Sequence, residues 1–531
     1  MRKRLQRAAR CLMAVGAIGL GVSSAGCATY SDKTESARDA LLRADYPGSI
    51  KHWNKILEVR DSADFPTKWK KNHELVVLER AMVLQAMQDY ETSAKNFGVA
   101  DKELELLDIA RDGAGKLGKY IYSDSATKYK TSPTEKLSLN AMNLLNYLVR
   151  GDLSGAKVEA KRFTVMRTYL RDYDPGNEHG AFGSYLAGFV YERLGNANEA
   201  LRYYDEALQD RDFGSLREPI ARLAVAGSYR GERISDYLPS SPPSAGAGGA
   251  QPGSPAGSSG GSPGESPGES PGESPGESSG GPSEGPSEEK AAPATPPQEA
   301  PPTGELGSLP PRVGPWASMA AGSSAEILVV AKTGRVPYKV PERIPIGAAI
   351  GLAGAYVSGD PTLLEYGMFK VVVYPELVKP QNLFVDAKLR IDGVSVPMDE
   401  ASDLGAEIID EYEAIKPKII GAALSRMIVR AAAAEGARAG GKAAADDSGA
   451  AGLVGFLAAA AIEGTMVALD KPDTRSWSTL PQHVHIGRAV VPPGAHTVDV
   501  TVFGPGGKER HTAEVEVQEG GFAVVDVTTL R

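Results

Sequence analysis

Gly188-Phe-Val-Tyr191-Glu-Arg-Leu-Gly195-Asn-Ala-Asn-Glu-Ala200-Leu-Arg-Tyr-Tyr204-Asp-Glu-Ala207-Leu208 reads as two helices joined by a tight turn. Gly188 and Tyr191 lie on the first helix, and Gly195 ends it. Ala200, Tyr204 and Ala207 recur at helical spacing on the second. Small residues suit the closest helix crossings, and one aromatic fills the gap between hairpins.

Three earlier stretches carry the same offsets of turn, bulky, small and apolar residues. Ala44-Asp45-Tyr46 leads to Ser49, Trp53 and Ile56. Gln88-Asp89-Tyr90 leads to Ser93, Phe97 and Ala100, and Gly151-Asp152-Leu153 leads to Ala156, Ala160 and Phe163. The 188–208 unit resembles a tetratricopeptide repeat, so residues 27–237 are expected to form an all-α helical repeat domain, a TPR-like solenoid. Such repeats bury a continuous core and leave a groove for a protein partner. The polar, tyrosine-rich stretch 120–135 is too long for a hairpin turn. Its Tyr120, Tyr122, Asp124 and Tyr129 are candidate ligand- or peptide-binding residues, unless the stretch is an irregular connection between repeats. Glu159 and Arg162, three apart on one helix, are expected to pair as a structural contact.

The chain begins with a basic segment, an apolar stretch over 11–22 and small residues ending in Ser24-Ala25-Gly26-Cys27. That is the layout of an export signal, too short for a spanning helix. The tetrapeptide resembles the lipobox of bacterial lipoproteins, although Ser24 stands where Leu is usual. The resemblance implies a signal peptide over 1–26 and lipidation at Cys27, with Ala28 compatible with the outer membrane. Cys11 would leave with the signal, so the mature chain keeps one thiol and no disulfide. Acylation accounts for that thiol and for anchoring on a bilayer.

Residues 238–311 are Pro, Gly, Ser and Glu with almost no large apolar residue, and Ser-Pro-Gly-Glu repeats four times over 262–277. Such a stretch is expected to be a disordered linker. It is either a spacer that extends reach or a tolerated insertion in a surface loop. The net charge is -9, and outside the signal no basic run exists, which argues against nucleic acid as a partner.

Residues 312–531 are expected to form a mixed α/β domain with an antiparallel sheet, ending in β-hairpins. The run Glu326-Ile-Leu-Val-Val-Ala331 reads as a buried strand. Ile344-Pro-Ile346 reads as extended, and Phe369 to Tyr374 and Phe384 to Ile391 read as strands. Asp392-Gly393 turns the chain into 394–396. A helix over 401–435 is expected to break at Pro417, and a second, Ala- and Gly-rich, covers 450–469 with Glu463 on it. That second helix is a buried core element or, alternatively, an oligomerising or membrane-associating one. Segments 483–491 and 496–502 are expected to pair across Pro492-Pro-Gly494, a hairpin that resembles that of the PEGA domain of bacterial envelope proteins. Strands over 511–517 and 522–528 complete the sheet.

His483, His485 and His496 could converge on that hairpin, but no Cys or spaced carboxylate accompanies them, and no metal or other cofactor is expected. No phosphate-binding loop, nucleophile elbow or zincin motif occurs, so no catalytic residue is named and the chain reads as non-enzymatic. Across both folded halves it resembles a family of proteobacterial lipoproteins with tetratricopeptide-like repeats. The carrying residues are Leu139 to Tyr147 with Gly151-Asp152, Ala156 to Arg162, Thr333-Gly-Arg-Val-Pro337, Ile344-Pro-Ile346 and Asp473-Thr-Arg-Ser-Trp477. The resemblance implies a cell-envelope scaffold for protein partners facing the periplasm, with a place in envelope or peptidoglycan assembly. The alternative is an oligomer-forming structural component driven by the helices near 450–469.

Overall fold

The computed structural model describes residues 28–104, 129, 131–173, 179–238, 325–356, 371–443 and 472–531. The signal segment, Cys27, Tyr120, Tyr122, Asp124, the linker and the 450–469 helix lie outside the described residues. The chain divides into two units, and residues 1–238 and 306–531 together make up the first. The two halves that composition separates therefore share one compact unit.

Ten helices are described in the N-terminal half: α1 Tyr30–Leu42, α2 Tyr46–Leu57, α3 His73–Ala86, α4 Tyr90–Glu103, α5 Pro133–Val149, α6 Leu153–Tyr173, α7 Ala181–Arg193, α8 Ala197–Asp210, α9 Arg217–Ala226 and α10 Ile234–Tyr237. The four turns read from sequence join α1–α2, α3–α4, α5–α6 and α7–α8. All four share one construction. The second residue after each first helix, Ala44, Gln88, Gly151 or Gly195, has φ between 57° and 73°. The next backbone N–H then reaches back five residues: Asp45 to Ala40, Asp89 to Leu84, Asp152 to Tyr147 and Asn196 to Tyr191, at 2.8–3.0 Å. The same Asp or Asn side chain caps the second helix, accepting from the N–H of Gly48, Thr92, Gly155 or Glu199. Trp53, Phe97, Phe163 and Tyr204 on the second helices are fully buried. A Cβ at Gly188 would fall 2.4 Å from the Tyr204 ring, so that crossing requires glycine.

The C-terminal half holds β1 Ala325–Thr333, β2 Tyr338–Pro345, α11 Ile346–Ala353, β3 Val371–Val378, β4 Asp386–Ile391, β5 Val394–Val396, β6 Met398–Asp403, α12 Leu404–Ala443, β7 His483–Val491, β8 Gly494–Gly504, β9 Gly507–Val517 and β10 Phe522–Thr529. Two four-stranded sheets, ordered β10-β1-β7-β6 and β5-β4-β8-β9, accompany the pair β2-β3. All pairings are antiparallel except β1 with β10. The first sheet is covered on both faces. Ile327, Val329 and Ala331 face Leu389, Val498 and Val500 of the second sheet. Leu328, Val330, Val484 and Ile486 join the core of the helical half. Helices α11 and α12 pack with Val372 and Tyr374 of β3 in a smaller cluster.

Several sequence expectations change here. The segments around Pro492-Pro-Gly494 do not pair: β7 bonds to β1 and β6, while β8 bonds to β4 and β9. The Pro-Pro turn carries the chain from one sheet to the other, and a corner of this kind shows the same alternation as a hairpin. The extended reading at 344–346 ends at Pro345, and Ile346 opens α11. Pro417 lies inside α12 without ending it. The parallel β1–β10 pair adds a non-antiparallel element, joining strands almost two hundred residues apart.

The shared turn makes a prediction of opposite signs. Ala44 and Gln88 hold a left-handed conformation that L side chains disfavour, and the position at Gly195 has no side-chain neighbour within 4 Å. Ala44→Gly and Gln88→Gly should each stabilise the fold by about 1 kcal/mol, and Gly195→Ala should destabilise it by a similar amount. Denaturant titration of the three variants checks both signs.

Candidate functional site

Helix α3 is buried along its whole length, yet it carries Glu74, Glu79, Arg80 and Gln85. A buried polar group needs a partner, and the partner of Glu79 lies in the C-terminal half. Residues 472–482 run without regular secondary structure between α12 and β7, and 474–481 are buried. The Glu79 carboxylate accepts from the backbone N–H of Ser478 at 3.0 Å and of Thr479 at 2.8 Å, and from the Ser478 hydroxyl at 2.9 Å. The Thr479 hydroxyl donates to the Glu79 carbonyl at 3.2 Å. Glu135, in the first turn of α5, accepts from the Trp477 N–H at 2.9 Å. The Trp477 ring is fully buried and meets Phe97 of α4 edge-on, centroids 5.9 Å apart. Arg475 forks onto Asp473 and reaches Asn72, and Thr474 accepts from the Ser31 N–H. The 472–482 segment is thus held through its main chain by carboxylates of α3 and α5 and anchored by one indole.

Burial pushes the Glu79 carboxyl up, and the donors from Ser478 and Thr479 work against that shift. Replacing Glu79 by Ala strands two backbone N–H groups, each costing about 1–3 kcal/mol when buried without an acceptor. Glu79→Ala is expected to lower stability by about 2–6 kcal/mol, a loss that denaturant titration beside the parent chain measures.

Of the four residues singled out in the tyrosine-rich stretch, Tyr129 alone is described. It is 4% exposed: its hydroxyl donates to Glu135 at 2.5 Å, its N–H donates to Glu74 at 3.2 Å, and Arg475 lies over its ring. Tyr129 is therefore a wall beneath the 472–482 segment rather than an open contact residue. Glu159 and Arg162 do pair, at 2.9 Å. The three histidines do not converge. His483 and His485 share a face of β7, whereas His496 sits on β8 with its ring nitrogens on Asp392 and the Pro492 carbonyl. Sequence reasoning missed Glu79 and Glu135. The signal for Glu79 was available as the Glu-Arg pair at 79–80 inside the otherwise apolar run 75–84. Glu135 satisfies the N-terminal capping pattern of α5 with Ser132, which conceals its second role.

A second, half-buried carboxylate set joins α12 to the helical half. Glu407 and Glu411, one turn apart, face Thr134 and His179. The Thr134 N–H and hydroxyl both donate to Glu411 at 2.8 Å. Burial, then the neighbouring Glu411 charge and that of Asp210, raise Glu407 to about 8, with Arg211 and Thr134 opposing. Burial raises Glu411 to about 7, with Glu135 adding and Ser132 and Thr134 opposing. Both carboxyls keep a proton in the fold at pH values where the unfolded chain has lost it. Their stabilising contribution is complete below the ordinary carboxylate range and falls as pH rises towards 8. Glu407→Gln with Glu411→Gln should flatten that decline, so the double variant gains on the parent chain between pH 6 and pH 9 in denaturant titrations. Equal pH slopes would refute the assignment.

No family model matches the chain, and no curated protein is similar to it. No described helix is long and apolar enough to cross a membrane.

Proposed function

We propose that this chain is a non-enzymatic cell-envelope lipoprotein, tethered through an acylated Cys27 and facing the periplasm, whose TPR-like helical repeats act as a protein-interaction scaffold. The observation that carries the reading is the way Glu79 and Glu135 hold the main chain of residues 472–482. Carboxylates aimed at backbone N–H groups hold a segment through its main chain, a contact that a repeat surface can also offer to a peptide. On this face the occupant is the protein's own segment. The repeats there clasp the C-terminal half, and a protein partner meets the assembled unit. Four hairpins with one turn design support the repeat reading, since each repeat adds a similar surface to the last. The basic, apolar and small-residue succession before Cys27 supports the anchor.

The test is capture from detergent-solubilised envelopes with the acylated full chain as bait, beside Cys27→Ser. A defined partner that copurifies with the acylated chain and is much reduced with Cys27→Ser is the expected result. Recovery of the chain alone as a homo-oligomer would replace the scaffold reading by a structural, self-assembling one.

A further inference from the structure

The edge of the first sheet gathers side chains that neither the clasp nor the repeats use. Along a regular strand, residues three apart face opposite sides. In β6 the register against β7 shifts between Glu400 and Ser402, so Glu400 pairs with His485 and Asp403 with His483. Ala401 and Ser402 are both buried, as the two residues of a bulge are when they share one partner position. The extra residue turns Glu400 and Asp403 to the same side. His483 Nδ1 lies 2.9 Å from Glu400 Oε1 and 3.8 Å from Asp403 Oδ2. One ligand atom from each of the three residues falls within 4.8 Å of the others.

We propose that Glu400, Asp403 and His483 form a binding site for a first-row divalent metal ion, with zinc the best match. Two carboxylate oxygens and one imidazole nitrogen, without a thiolate, form a donor set used by Zn²⁺ and Mn²⁺. Metal–ligand distances of about 2.0–2.2 Å put the donors of one ion up to about 4.4 Å apart. The 2.9 and 3.8 Å separations fall within that limit. Each carboxylate is also oriented from behind. The other Asp403 oxygen accepts the Ala406 N–H at 2.9 Å, capping α12, and the other Glu400 oxygen takes Arg211 of the helical half at 3.1 Å. Outer partners of this kind hold the ligating oxygens of metal sites in place.

A separate observation points the same way. His485, two residues along the same strand face, has its ring 6.2 Å from that of His483. It is 6% exposed, and its Nε2 is buried with no hydrogen-bond partner among the described residues. Its Nδ1 is 4.0 Å from Asp386. A second imidazole thus stands beside the three donors. Glu400 is exposed, which leaves the site open to water and to an entering ion. An ion there would tie the sheet edge, the start of α12 and the end of α8 at one point.

The experiment is calorimetric titration of the chelator-treated full chain in detergent with ZnCl₂ and, separately, MnCl₂ at pH 7.5 and 5.5. His483→Ala and Asp403→Asn are run beside it, with His52→Gln as control. Asn keeps an oxygen to cap α12, and melting of each variant without metal verifies that it folds. One zinc per chain is expected, weakened at least roughly tenfold in both variants, unchanged in the control, and weaker at pH 5.5, where His483 takes up a proton. Zinc should raise the melting temperature of the parent chain but not of His483→Ala. Absence of one-to-one zinc binding, or affinity unchanged in His483→Ala and Asp403→Asn, overturns the proposal. Should one variant fail to fold, Glu400→Gln takes its place with the same expected loss.

Discussion

Strand β1 is buried over all nine of its residues, and most of the architecture answers that constraint. Its alternate side chains enter two different cores, and on the helix-facing side the order is Glu326, Leu328, Val330, Lys332. The two charges stand at the ends of an apolar centre and cannot reach water. Leaving either unpaired would cost several kcal/mol, so each has partners from other elements. Arg488 of β7 forks onto Glu326 at 2.5 and 2.9 Å and also reaches Glu192 and the Tyr204 hydroxyl. Arg193 and Arg222 close that group from α7 and α9. Burial opposes the charge of Glu192, but Arg488 and Arg193 prevail and hold its carboxyl below the ordinary range. At the other end Lys332 pairs with Asp526 of β10 at 3.1 Å and donates to Gln85 of α3.

These contacts specify register as well as stability. A slip of one residue between β1 and either neighbour would move Glu326 and Lys332 into the opposite core, where Ile327, Val329 and Ala331 now pack. They also explain why the helical and sheet halves share one unit despite the long low-complexity stretch between them. The helices complete the charge pairs of the sheet, and the sheet covers the apolar faces of the helices. The 472–482 segment repeats the principle with main-chain donors in place of arginines. The N–H groups of Trp477, Ser478 and Thr479 are met by Glu135 and Glu79.

The helical hairpins were readable because their determinants are local. The left-handed residue, the five-residue backbone bond and the Asx cap all lie within a few positions of each turn, and side chains at +4, +8 and +11 from the cap follow from helical geometry alone. Most strands were readable for a similar reason, since alternation or a continuous apolar run marks them. The partners of the strands were not. Residues 483–502 alternate as a hairpin would, and only the competing edges of β1, β4 and β6 decide that β7 and β8 join different sheets. Pro417 misled because interior proline usually ends a helix, whereas α12 continues past it with Ile415, Ile419, Ile420 and Leu424 packed in a cluster with β3.

The polar sites divide along the same line. Sequence by itself determined where helices turn, which faces are apolar, and that β1 is buried, because those properties depend on neighbours a few residues away. Tertiary structure alone decided which carboxylate meets which donor from a distant part of the chain. Glu79 bonds to Thr479 across 400 positions, Glu192 to Arg488 across 296, and Glu400 to His483 across 83. No spacing rule reaches across such separations. The Glu79 and Glu192 pairings arise only when the helical and sheet halves pack together and exclude water from the charges between them, and the Glu400 pairing arises when β6 and β7 meet at the exposed sheet edge.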